Sequence, residues 1–125
     1  MQDPVFTPLD KSLLSSLNLN VVDHPKGFQL VDQETLVFAP HCDRSFFFPG
    51  LKDKDPSLTI CNSFEKLLDS PGSVGAEEME IQFAVAFTAG KQSRDWPEFE
   101  EGWTAFNDLR IYIRSEGSVE TPTRP

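Results

Sequence analysis

The sequence predicts an α/β fold, a Rossmann-like parallel or mixed sheet with flanking helices, and three observations lead there. Thr35-Leu36-Val37-Phe38-Ala39 and Ser57-Leu58-Thr59-Ile60-Cys61 are continuous β-favouring runs, the pattern of strands buried on both faces. Helical patterns precede the first run and follow the second, and strands joined through helices must cross over to pair in parallel. Leu109, Ile111 and Ile113 alternate with Arg110, Tyr112 and Arg114, a strand with one polar face.

The elements follow in order. Thr7-Pro8-Leu9-Asp10 is a helix start, with Thr7 as N-cap, Pro8 in the first turn and Asp10 facing the positive helix end. Leu9, Leu13, Leu14 and Leu17 then form an apolar stripe that implies one buried face. Val21-Val22 is a short strand candidate, and Asp23-His24-Pro25-Lys26-Gly27 is a turn leading into Phe28. Residues Asp43 to Pro56 read as short, aromatic and turn-rich. After the Cys61 run, Ser63 is the expected N-cap of a helix carrying Phe64, Leu67 and Leu68. Residues 70–76 form a loop. Met79, Ile81, Phe83, Val85 and Phe87 alternate, so Glu77 to Thr88 is expected as a strand, with a helix as the alternative. The tail from Arg114 or Ser115 onward carries Pro122 and Pro125 but few apolar groups, and is expected to be disordered.

Composition bounds the function. A chain of 125 residues holds one core, expected over residues 1–113, because a domain of this size buries roughly two-thirds of its unfolded surface. With 20 acidic and 11 basic residues the net charge is -9, which argues against a sequence-independent nucleic-acid binder. No stretch approaches the roughly 18 apolar residues that span a bilayer, and Met1-Gln2-Asp3-Pro4 lacks the start of a signal peptide, so no membrane association is expected. Cys42 and Cys61 are expected as reduced thiols, and the expected location is the cytoplasm, with the nucleus as an alternative. Acids concentrate between residues 77 and 101, where seven stand against Lys91 and Arg94.

The densest reactive cluster is Pro40-His41-Cys42-Asp43, placed just past a strand, where α/β folds hold ligands. A thiol beside an imidazole can be activated, but neighbours on an extended chain point apart, and a structural role for both is the favoured reading over ligand contact or nucleophilic catalysis. His24, His41, Cys42 and Cys61 show no paired zinc spacing, so no metal is expected, and no phosphate-loop or dinucleotide motif suggests a cofactor. Asn62-Ser63 presents amide and hydroxyl groups where a helix begins, more often an N-cap than an anion site. Phe46-Phe47-Phe48 is either core or a partner patch, and the acidic segment 77–101 is either a solvated face or a docking surface for a basic protein.

Taken together, Asp3-Pro4-Val5-Phe6, Leu17-Asn18-Leu19, Leu36-Val37-Phe38 running into Pro40-His41-Cys42, Cys61-Asn62-Ser63-Phe64, and Ala105-Phe106-Asn107-Asp108 resemble the sensitivity-to-red-light-reduced (SRR1-like) domain family. The resemblance runs from residue 3 to about residue 113. Family members usually carry an upstream strand and Gly/Ser-rich loop, so it implies a domain lacking its first strand-loop-helix unit, or a fragment of a longer gene product. They also usually carry a glycine where Cys61 stands and a longer helix after the Pro-His-Cys piece. What the resemblance implies for function is a regulatory role: light and circadian signalling in plants, haem metabolism and cytoskeletal phenotypes elsewhere, with no settled reaction. By motif position Asp3, His41, Asn62 and Ser63 become candidates for a shared site, to which the residue reading adds Cys42. The expectation is a non-enzymatic regulatory or interaction protein; the alternative is a small-ligand binder or enzyme with its site around His41 and Asn62.

Overall fold

The computed structural model describes residues 1–3, 6–97 and 108–115. Pro4, Val5, Ala105 to Asn107, the acids Glu98, Glu100 and Glu101, and most of the expected tail lie outside the described residues. Contacts divide the chain into two compact units, Met1–Val31 and Asp32–Pro125.

The first unit holds α1 (Pro8–Ser16) and α2 (Lys26–Gln29). The start of α1 is the one its sequence specifies. Thr7 Oγ1 accepts from the Asp10 N–H at 3.1 Å, and Asp10 Oδ2 accepts from the Thr7 N–H at 2.9 Å. These bonds, the Thr7 backbone one foremost, hold the Asp10 carboxyl below its usual range. The expected buried face does not form: Leu9, Leu13 and Leu17 are 78%, 60% and 61% exposed. Helical spacing fixes which residues share a face, whereas burial requires an element packed against it. Val21-Val22 is not a strand either. Two residues have no ladder of their own, and the Val22 N–H donates instead to the Met1 carbonyl at 2.9 Å. The expected turn over Asp23 to Gly27 forms at His24 and Pro25, where the Lys26 N–H donates to the Asp23 carbonyl at 2.8 Å, and it runs on into the single helical turn α2, where Gln2 Oε1 accepts from the Gly27 N–H. A Cβ on Gly27 would lie 2.6 Å from that oxygen, so the close approach requires glycine.

The second unit is a four-stranded mixed sheet in the order β1-β2-β4-β3. β1 (Leu36–Ala39) and β2 (Leu58–Asn62) are parallel, joined through α3 (Arg44–Leu51), while β4 (Leu109–Ile113) runs antiparallel to β2 and to β3 (Gln92–Asp95). The predicted α/β class holds. β2 is interior, as its apolar run predicts, with Thr59 and Cys61 fully or nearly buried. β1 differs from expectation: Leu36 is 58% and Phe38 51% exposed, because among the described residues β1 is an end strand with a neighbour on one side. The sequence reading missed β3. Gln-Ser-Arg-Asp has no apolar alternation, and it is held by its ladder to β4 and by Arg110, which reaches Asp95 Oδ1 at 2.6 Å and Ser93 Oγ at 3.1 Å.

The remaining helices are α4 (Glu65–Asp69), a 3-10 turn (Pro71–Val74) and α5 (Glu78–Thr88). The expected strand at Glu77 to Thr88 is a helix. Ala84 and Phe87 are buried and Glu80, Ile81 and Phe83 half-buried, a helical spacing, while Met79 and Val85, which completed the alternating pattern, are 76% and 55% exposed. The Glu77 N–H donates to Glu80 Oε1 at 3.0 Å and begins the helix with a capping box. The stretch after His41, expected as turns, forms α3: Asp43 Oδ1 accepts from the Ser45 N–H at 2.8 Å, and the helix carries Phe47 and Phe48 inward despite Pro49.

These three phenylalanines divide. Phe47 and Phe48 are 3% and 6% exposed, and Phe46 remains 38% exposed. Phe48 stacks on Phe83 with ring centroids 4.4 Å apart, Phe83 stacks on Phe87 at 5.5 Å, and Phe64 meets Tyr112 of β4 at 5.2 Å. Such pairs add about 0.5–1.5 kcal/mol each beyond the area they bury. The core therefore lies between α3, α4, α5 and the sheet face carrying Thr59, Cys61 and Tyr112.

Candidate functional site

The site grows from the carboxyl ends of the two parallel strands. β1 stops at Ala39, and the chain turns through Pro40 and His41, whose φ of 55° is left-handed, an uncommon backbone for a residue with a side chain. β2 ends one position further on, at Asn62, which reaches across the gap. Asn62 Oδ1 accepts from the His41 N–H, so its Nδ2 faces the ring and lies 3.1 Å from His41 Nδ1. An amide nitrogen only donates, so Nδ1 is the acceptor and the neutral ring carries its proton on Nε2.

Beside this pair lies a cavity of about 300 Å³. Cys42, Asn62 and Ser63 line it, together with Cys61 and the aromatic walls Phe47, Phe48 and Phe64. Cys42 Sγ is 3.8 Å from the Asp43 carbonyl, a weak contact. Burial pushes the Cys61 thiol from 9.0 up to about 12, with the neighbouring Cys42 acting in the same direction, so Cys61 stays protonated and is a poor nucleophile. Ser63, the expected helix cap, stands just outside the cap position, which Phe64 occupies. Its Oγ accepts from the Glu65 N–H at 3.2 Å, while the Phe64 N–H donates to the buried Tyr112 hydroxyl at 2.9 Å. Two residues thus share the capping work expected of one.

Of the five residues singled out from the sequence, His41, Cys42, Asn62 and Ser63 gather at the strand ends. Asp3 lies in the first unit, where its carbonyl accepts from the Phe6 N–H at 3.3 Å. Sequence reasoning missed Arg44 and Lys66, both of which line the cavity. Arg44 donates from Nη2 to the Val74 carbonyl at 2.7 Å and sits 3.5 Å from Glu80, while its buried Nη1 has no hydrogen-bond partner among the described residues. A charged residue at the start of a helix carries no local signal that it turns inward. Among the described residues no three His, Cys, Asp or Glu side chains converge as a metal site would require, and no helix is long and apolar enough to cross a membrane.

No curated protein and no solved structure matches the chain. The SRR1 domain, by contrast, matches residues 1–113, which include both strand ends and every residue of the Asn62–His41 lock. The chain belongs to the SRR1 domain family.

Proposed function

We infer that this chain is a non-enzymatic regulatory or interaction protein, in which the strand-end polar groups hold the turn beside a binding site and do not transform a substrate. One observation carries the reading: the polar groups best placed for chemistry are either held in hydrogen bonds or kept neutral by burial. The Asn62 amide is engaged at both ends by His41, the nearby Cys61 thiol is held neutral by burial, and Ser63 Oγ accepts a helix N–H. General acid–base or nucleophilic catalysis needs a base or nucleophile within hydrogen-bond reach of the group it serves. The regulatory role is what the resemblance to the family implies, and the family match itself names the domain alone. Phe46 and the acids Glu77, Glu78 and Asp95 remain the candidate protein-contact residues.

The test compares the parent with Cys42→Ser and His41→Ala in pull-downs from the same lysate, after circular dichroism has established that each variant folds. The reading expects the same partner profile for all three. A folded His41→Ala protein that loses its partners would move the function onto His41 itself.

A further inference from the structure

We propose that the strand-end cavity binds a small apolar monocarboxylate, its hydrocarbon body against Phe47, Phe64 and Leu67 and its carboxylate at Arg44 and Lys66. The inference rests on reading the strand ends as a binding site and adds the class of ligand. A volume of about 300 Å³ falls at the lower end of the range for small-molecule sites, roughly 300–1,000 Å³, and suits a body of about ten heavy atoms. Its walls are chosen for apolar matter: Phe47, Phe64, Leu67 and Cys61 are each 3–5% exposed and line the space together.

The polar groups in the lining select charge. Arg44 is anchored through Nη2 to Val74 and through Nε towards Glu80, which leaves Nη1 as a buried donor pair without an acceptor among the described residues. Buried guanidinium N–H groups are ordinarily paired, and a carboxylate oxygen is the acceptor that matches them best. Lys66, on the exposed side of α4, lines the same cavity and supplies a second cation at its mouth. Asp108 also lines it, and with a chain charge of -9 it disfavours a dianion, so a single negative charge is the better match than a phosphate monoester. The neutral Cys61 thiol adds no opposing charge.

The probes are phenylpropionate and its alcohol, phenylpropanol, titrated into the full chain and followed by backbone amide shifts. The expected result is shifts centred on Cys42, Asn62, Phe64 and Leu67, with the carboxylate bound roughly ten- to hundredfold more tightly than the alcohol. Arg44→Gln should bring the two affinities together. Should that variant fail to fold, Lys66→Gln, an exposed substitution, should still cut carboxylate affinity severalfold and leave the alcohol unchanged. Equal binding of acid and alcohol in the parent, shifts elsewhere, or no binding overturns the proposal while leaving the non-enzymatic reading intact. A new species in the probe's proton spectrum would overturn the non-enzymatic reading and support the site.

Discussion

Asn62 holds His41 at two points, its Oδ1 on the backbone N–H and its Nδ2 on ring Nδ1 3.1 Å away, and thereby ties the end of β2 to the turn that leaves β1. A left-handed non-glycine residue persists where its surroundings over-determine it, and the two contacts from Asn62 contribute to that here.

Asn62→Ala should therefore destabilise the protein by about 1–3 kcal/mol, since it unpairs the His41 N–H and releases the turn. Urea unfolding of parent and variant measures it. An unchanged midpoint would mean that Pro40 and the strand alone set the turn.

Tyr112→Phe removes the acceptor of the Phe64 N–H, which is buried in the aromatic core. The cost should be about 1–3 kcal/mol, the penalty for an unsatisfied buried donor, with little change in ring packing. Phe64→Ala should cost more, about 3–5 kcal/mol, because it opens a cavity between α4, α5 and β4.

At high pH, stability should fall through two buried acids. Burial raises the Cys61 thiol from 9.0 to about 12, and burial likewise raises Tyr112 above 10.0. A raised acid favours folding below its unfolded value, and that contribution is lost as pH climbs towards the folded one. Urea midpoints measured from pH 9 to 12 should thus decline, and Cys61→Ala should show a shallower decline than the parent. Parallel curves would contradict the assignment to Cys61.

At low pH the relevant group is Asp55. Burial pushes its carboxyl up, but Lys91 at 3.0 Å and Arg114 at 2.7 Å outweigh that and hold it below 3.8. A depressed carboxyl stabilises the fold above its unfolded value and ceases to do so as pH falls through the folded one. Asp55→Asn should cost about 1 kcal/mol or less at neutral pH, given the partial exposure, and the gap to the parent should close below pH 3.8. A gap that persists in acid would show that the asparagine disturbs packing instead.

The parts of the fold legible in the sequence were those whose signal is local. The Thr7–Asp10 capping box, the β2 run and the alternation of β4 each need only neighbouring residues to be read. What failed depended on neighbours in space. The leucines of α1 share a face without being buried, β1 is an end strand although its run matches that of β2, and β3 exists through its partner strand. In α5 the alternating and helical patterns share Phe83 and Phe87, and the helix is decided by packing against Phe47 and Phe48. At the site, strand ends and motif positions brought out His41, Cys42, Asn62 and Ser63. The inward turn of Arg44 depends on the Val74 carbonyl thirty residues away, which no spacing reveals.

The claim that strand-end polar groups hold the turn and do not act on a substrate is tested most directly by nitrogen-15 NMR of the His41 ring at neutral pH. The account predicts the Nε2–H tautomer, with Nδ1 accepting from Asn62, and a mixture of tautomers in Asn62→Ala. An Nδ1–H ring in the parent would contradict it.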